Sequence, residues 1–344
     1  MRVLGICGGN GVILYPFKGH LVANLEPRTA FKIQNDKQWR ANFKDVPLFK
    51  SDADFTKAVV RGDISIEGID LIIGAPDCGH SSMLSYSRKK SLSNPRDNSS
   101  LSSYLNGVKV IKPKLFVLEN LPKFLEVITK EELRDFFDGY RLKFHEKSVW
   151  EWGNSQKNRK RLILIGVRRD ILDEIPEIWP LIKEVYPVSE HKTCNELTKG
   201  LIYGKNGHIR EDIHTKITLY AGYKVTAEEI QRGWLSTGWT RWQVTDRNFT
   251  TAPGIYRNLE EGFPNTARKA NRQYNPEGLM MTPRELARIM GIPDEFKIYF
   301  EDSNVGYWIN KGRTTVTKTC PMEIPVWLME QLKKVEISLA RMRV

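Results

Sequence analysis

A cysteine follows one apolar run of this chain and a glutamate closes the next. In Gly74-Ala75-Pro76-Asp77-Cys78 the thiol comes after a short apolar stretch and a tight turn, and in Leu115-Phe116-Val117-Leu118-Glu119-Asn120 the carboxyl ends a second stretch. A thiolate beside a carboxyl group suits addition to an electron-poor ring: sulfur attacks a ring carbon while the protonated carboxyl serves a ring nitrogen. Taken alone, Cys78 has the plainer reading of inert packing, since most structural cysteines are unreactive. Arg159 and Arg161 open a further apolar run, where they could bind a carbonyl oxygen or a phosphate, or form a surface basic cluster.

A second group of residues suits a bound nucleotide-type molecule. The chain starts with an apolar run, turns through Gly8-Gly9-Asn10-Gly11, and carries Glu26 after the next apolar run. Glycines let the backbone approach a ligand, and a carboxylate at the end of the second strand can take both hydroxyls of a ribose. Asp63 and Ile64 precede the third run, where Asp63 could accept from an adenine amino group and Ile64 could cover the ring; a lone aspartate in a turn is otherwise structural.

These residues need a frame that brings them to one edge. The runs RVLGIC, GHLVANL, IDLIIGAP, PKLFVLEN and KRLILIGV read as parallel strands joined by crossover helices. The fold class expected is α/β, a doubly wound, mostly parallel sheet with a second, smaller domain. The first four runs end in polar or glycine-rich turns, so the glycine turn, Glu26, Cys78 and Glu119 fall at strand C-terminal ends, where open α/β sheets bind ligands. Ser81 to Asn106 is rich in serine, lacks apolar periodicity and reads as a long mobile loop. Residues 1–174 with 276–344 read as the catalytic domain and 175–275 as a small recognition lobe. Thr282 as N-cap, Pro283 at the first helical position and Glu285 start a late helix, and PVWLMEQLKKVEISLARM reads as a C-terminal amphipathic helix.

Bulk properties narrow the partners. The chain has 344 residues, 53 Lys plus Arg against 41 Asp plus Glu, and a formal charge of +12, an excess that favours a polyanion such as nucleic acid. Cys7, Cys78, Cys194 and Cys320 are widely separated and form no zinc-type cluster, so neither a metal site nor a disulfide framework is expected. The N-terminal sequence lacks a signal-peptide layout and no apolar run reaches membrane-spanning length. A reducing, cytoplasmic setting is expected.

In their order these segments resemble the DNA (cytosine-5) methyltransferase family over nearly the whole chain. VLGICGGNG is similar to its first cofactor motif, LEPRTAF to its second with Glu26 in the ribose-binding place, and GDI at 62–64 to its adenine-binding motif. GAPDC at 74–78 resembles the nucleophile motif, LEN at 118–120 the motif of the N3 acid, RKRLILIG the basic-pair motif, and MTPRELARIMGIPDEF the helix motif after the target-recognition region. The resemblance implies a Rossmann-like catalytic domain, a small target-recognition domain, and a cytosine flipped out of double-stranded DNA. It implies S-adenosylmethionine held by Gly9, Asn10, Gly11, Glu26, Asp63, Ile64 and Pro76, no metal, and a catalytic set of Cys78, Glu119, Arg159 and Arg161. A monomer acting on DNA, solitary or phage-encoded, in a bacterial or phage-infected cell is the corresponding expectation.

Departures from the family pattern carry expectations of their own. Cys7 stands where the family has an aromatic residue, Asp77 where it has a proline before the nucleophile, and Gly79 where it has a glutamine. A carboxylate next to Cys78 would raise the thiol pKa unless Arg161 or another cation compensates. Gln156 matches the glutamine of the basic-pair motif only with a small insertion. Thr317-Lys318-Thr319-Cys320-Pro321 replaces the usual Gly-Asn segment, which would put the Lys318 ammonium at the cofactor pocket. Lys318 would pair with Asp77 or a DNA phosphate, or accept a carboxylated S-adenosylmethionine derivative that installs an acidic group on C5. The alternative of an RNA substrate lacks the Pro-Pro-Cys and Cys-Phe-Thr segments of the family's tRNA-modifying branch.

Overall fold

The computed structural model describes residues 1–27, 38–77, 99–156, 159–185, 190–193, 196–197, 199–200, 283–298, 316–317 and 319–342, with backbone alone for 335–342 and for four short strands noted below. By its internal contacts the chain forms two compact units, one of Met1–Lys147, Lys160–Tyr186 and Met322–Val344, the other of Ser148–Arg159 and Pro187–Pro321.

The first unit is built on seven strands: β1 (Val3–Ile6), β2 (Leu21–Leu25), β3 (Leu48–Phe49), β4 (Leu71–Gly74), β5 (Leu115–Asn120), β6 (Tyr140–Ser148) and β7 (Lys160–Arg168). They lie in the order β3-β2-β1-β4-β5-β7-β6. Every residue of β1, β4 and β5 is buried, the pattern of central parallel strands covered on both faces. The strands β3, β2, β1, β4 and β5 pair in parallel. Gly74 is required where β4 passes β1, because a Cβ there would lie 1.6 Å from the Ile6 carbonyl oxygen.

The helices of this unit are α1 (Asp52–Val60), α2 (Ser99–Ile111), α3 (Lys130–Phe136), α4 (Arg169–Glu174) and α5 (Ile178–Lys183); α6 (Pro283–Ile289) belongs to the second unit, and α7 (Glu323–Met342) returns to the first. Ser51 accepts from the Asp54 N–H at 3.1 Å and caps α1, while Thr129 and Glu132 form a capping box on α3. A 3-10 helix, Val12–His20, follows the glycine turn and packs against α7.

Two expectations are corrected here. KRLILIGV is a strand, but it runs antiparallel to β5, with Leu115 opposite Val167 and Asn120 opposite Leu162. The chain crosses to the far edge for β6 and returns to β7 through a connection that opens with a 3-10 turn, Val149–Trp152, and has among its described residues no crossover helix of the kind a parallel partner requires. Ser99–Asn106, expected in a loop, forms the first half of α2. Its inward positions are Ser100, Leu101, Ser103, Tyr104, Gly107 and Val108, at helical spacing but half of them small or polar, which hid the period. Residues 81–98 of that expected loop lie outside the described residues.

In the second unit α6 begins with Pro283 at its first position, as its sequence suggested; Thr282 is outside the described residues. Asn154 Nδ2 donates to the Ile289 carbonyl at 2.9 Å and Gln156 Nε2 to Asn154 Oδ1 at 2.9 Å. Arg284 donates to the carbonyls of Pro293 and Phe296, and burial pushes its guanidinium down to about 10. Short strands β8 (Ile202–Gly204) and β9 (Ile217–Leu219) pair in parallel, β10 (Trp234–Ser236) and β11 (Arg241–Gln243) antiparallel.

Candidate active site

Strand β1 delivers the chain into the glycine turn at the C-terminal edge of the sheet. Gly9 has φ +62° and open space where a Cβ would point, and Gly11 has φ +91° with a would-be Cβ 2.3 Å from the Phe43 ring. Both conformations disfavour side chains. Strand β2 brings Glu26 beside this turn, where its Oε2 accepts from the Gly9 N–H at 2.5 Å, and the residue is 4% exposed. Asn24, fully buried, accepts from the Gly8 N–H at 3.3 Å through Oδ1, while its Nδ2 has no hydrogen-bond partner among the described residues. A bare glycine, a buried carboxylate and an unmatched buried donor at one strand edge fit a nucleoside-bearing cofactor. Asn10 is buried and its Oδ1 accepts from the Val12 N–H at 3.4 Å, within the turn itself.

Asp63 is exposed, while Ile64 is 6% exposed and belongs to the core cluster that includes Ile69 and Phe55. Pro76 is buried, and its carbonyl accepts from Asn120 Nδ2 at 3.3 Å, which ties the end of β4 to the end of β5. Cys78 and Lys318 lie outside the described residues.

Glu119 and Arg161 meet in this unit: Arg161 Nε lies 2.8 Å from Glu119 Oε1, with side chains 14% and 10% exposed. Antiparallel pairing explains the meeting, since the start of β7 lies beside the end of β5. A fixed cation holds one carboxylate oxygen of Glu119, and the pair leaves a carboxyl group oriented at the edge where β4 delivers its turn. Arg159 has a different setting. It is 2% exposed in the second unit, and its Nη2 donates to the carbonyls of Thr317 at 3.0 Å and Thr319 at 2.9 Å, on either side of residue 318. Among the described residues no cluster of His, Cys, Asp and Glu could hold a metal ion, and no helix is long and apolar enough to cross a membrane.

Two residues that hydrogen-bond to the turns at this edge were missed from sequence. Asn24 is a polar residue inside an otherwise apolar strand, two positions before Glu26 and therefore on the same face, a signal that could have found it. Ser100 is one serine among many in the sequence, and only the geometry gives it partners, the Asp77 N–H at 2.9 Å on its hydroxyl and the Cys7 thiol at 3.1 Å on its carbonyl.

A parallel sheet with a reversed strand next to β5, a glycine turn after β1 and a carboxylate after β2 make up the Rossmann-like fold of S-adenosylmethionine-dependent methyltransferases, here with a smaller second unit. The family model for C-5 cytosine-specific DNA methylase matches residues 16–318. This chain belongs to that family and is an enzyme of C5-cytosine methylation in DNA. Type II methyltransferase M.MthTI of Methanothermobacter thermautotrophicus is 25% identical over 248 residues, 67% of this chain and 69% of that protein. Type II methyltransferase M1.HphI of Haemophilus parahaemolyticus is 28% identical over 138 residues, 38% of this chain and 36% of that protein. The fold is shared with Entamoeba histolytica methyltransferase EhMeth, at a TM-score of 0.56, 15% identity and coverage of 96% of this chain and 97% of that one. It is shared likewise with the S. pombe Dnmt2 methyltransferase, at 0.55, 15%, 97% and 99%.

Proposed function

We propose that the chain methylates C5 of a cytosine flipped out of double-stranded DNA, with Cys78 adding covalently to C6 and Glu119 serving N3. The ion pair of Glu119 with Arg161 carries this reading, because it orients a carboxyl group at the strand edge that also receives the turn leading to Cys78. C5 of cytosine is too weak a nucleophile by itself. Addition of the Cys78 thiolate to C6, with N3 protonated or hydrogen-bonded by Glu119, makes C5 carbanion-like. S-adenosylmethionine, when bound, supplies the methyl group. Loss of the C5 proton then allows the Cys78–C6 bond to break and regenerates the thiolate.

In this reading Gly9, Asn10, Gly11 and Glu26 hold the nucleoside half of the cofactor, and Asp63, Ile64 and Pro76 border the adenine and the methyl end. Arg161 keeps Glu119 in place and faces O2 of the base. Arg159 acts through backbone, by holding the carbonyls of Thr317 and Thr319. The second unit, with the short strands β8 to β11, serves as the recognition domain.

Mass spectrometry of nucleosides from DNA treated with the purified chain and S-adenosylmethionine tests the proposal. A gain of 5-methylcytosine is expected, absent with Cys78→Ser and reduced by about 10²- to 10⁴-fold with Glu119→Gln. Glu26→Ala should chiefly weaken cofactor binding, measured by calorimetry. Full turnover by Cys78→Ser would sink the covalent mechanism, and a heavier cytosine in DNA from expressing cells would move the reading to a carboxylated cofactor held by Lys318.

A further inference from the structure

The three residues ahead of Cys78 are each held by a hydrogen bond. The Ala75 N–H donates to the Cys7 carbonyl at 3.1 Å, Asn120 Nδ2 donates to the Pro76 carbonyl at 3.3 Å, and the Asp77 N–H donates to the Ser100 hydroxyl at 2.9 Å. Ser100 is 2% exposed and sits in the first turn of α2. That helix is fixed against the sheet: Tyr104 is fully buried, a Cβ on Gly107 would lie 2.4 Å from Ile6 Cδ1, and the Ser103 hydroxyl donates to Asp52 at 2.8 Å.

Ser100 also reaches the cofactor side. Its carbonyl accepts from the Cys7 thiol at 3.1 Å, and Cys7 opens the glycine turn with φ 61°. A non-glycine residue keeps that left-handed conformation only where its neighbours hold it. One residue on a rigid helix thus bonds through its hydroxyl to the position before the nucleophile and through its carbonyl to the first residue of the cofactor turn.

We infer that Ser100 is a positioning residue for the nucleophile, setting where the Cys78 turn stands relative to the cofactor turn. The bond exists because residue 77 has an N–H to give. A proline there would fix φ by its ring but could donate nothing; with Asp77, the hydrogen bond to a fixed hydroxyl supplies the restraint. This inference rests on Cys78 being the nucleophile.

Timing the covalent adduct that the full chain forms, in the presence of S-adenosylmethionine, with DNA whose cytosines are all 5-fluorocytosine tests it, since fluorine at C5 prevents the final proton loss and traps the adduct. No adduct from the unaltered chain overturns the assignment of Cys78 itself. Given an adduct, Ser100→Ala should slow its formation by about 10- to 100-fold with cofactor affinity unchanged, because the carbonyl that holds Cys7 remains. Ser100→Thr, which keeps the hydroxyl, should restore the rate. Ser100→Ala added to Asp77→Pro should have no further effect, because no N–H is left to bond; where Ser100→Ala does not fold, Ser100→Cys, of similar size but a weaker acceptor, should show the slowing in its place. Unchanged adduct formation in Ser100→Ala, a parallel loss of cofactor affinity, or additive slowing in the double variant overturns the inference.

Discussion

Arg161 does two separable things, and a substitution can tell them apart. Its guanidinium neutralises a nearly buried carboxylate and also fixes that carboxylate's direction. Arg161→Ala leaves Glu119 without its partner, and removing one member of a buried pair destabilises by about 3 kcal/mol. Arg161→Lys keeps the charge but not the fork of donors, so it should keep most of the stability while kcat falls. Urea unfolding beside steady-state kinetics would separate the two; retention of both in the lysine variant would mean that charge alone matters, and equal loss of both that the fork of donors serves stability as well as catalysis. Glu119 and Arg161 were legible in the sequence as charged residues at the ends of apolar runs, and the structure brings the two together. Asn24 and Ser100 were not singled out, since neither residue type announces chemistry and their roles lie in what they hold. Arg159 was legible as a basic residue at a strand start, but its two carbonyl partners at Thr317 and Thr319 are distant in sequence and no local pattern points to them.

The direction of β7 matters more to the site than its composition. Had it run parallel to β5, as its apolar run alone suggested, Arg161 would stand at the edge opposite Glu119. The direction was hidden because strand periodicity carries no sign; only the connection from β6 fixes it. Strands β1, β4 and β5 were readable as continuous apolar runs, whereas α2 was not, since its apolar stripe of Leu101, Tyr104, Leu105 and Val108 is interleaved with inward serines and Gly107 and follows a long serine-rich stretch. Two predictions belong at this level. Gly74→Ala places a methyl group 1.6 Å from the Ile6 carbonyl oxygen, so β4 must part from β1; overpacking of this kind costs about 3 kcal/mol or more, and a melting curve should show a large fall in Tm or no folded protein. At the start of β6 the Tyr140 hydroxyl donates to the Pro113 carbonyl at 2.8 Å. Burial, aided by Asp170 and opposed by Arg168, raises its pKa to about 12 from 10.0. The folded state therefore keeps a proton that the unfolded chain loses first. The stability this contributes is complete below pH 10 and is lost as pH rises through about 12. Tyr140→Phe should flatten the pH dependence of unfolding in that window, and an unchanged slope would assign it to other groups.

Across the whole molecule, the formal charge of +12 should appear as a straight decline of log affinity for duplex DNA against log salt, with a slope set by the phosphates neutralised. Fluorescence anisotropy at several salt concentrations measures it, and a flat line would show that the charge is not spent on DNA. The composition already suggested this partner, whereas the division into units built from interrupted segments could not be read in full, because contacts between distant stretches leave no mark in local pattern. One such contact bears on how the protein is made. The residues Ile73, Val117, Ile163 and Ile165 on one face of the sheet line a pocket closed by Ile324 and Trp327 of α7. All seven strands of that sheet have been synthesised by residue 168, but α7 starts only at residue 323. At ~5–20 residues per second, a ribosome needs roughly ten to thirty seconds to cover that distance. For that interval the nascent chain carries an apolar sheet face without its final cover, so chaperone occupancy should peak between the emergence of β7 and that of α7.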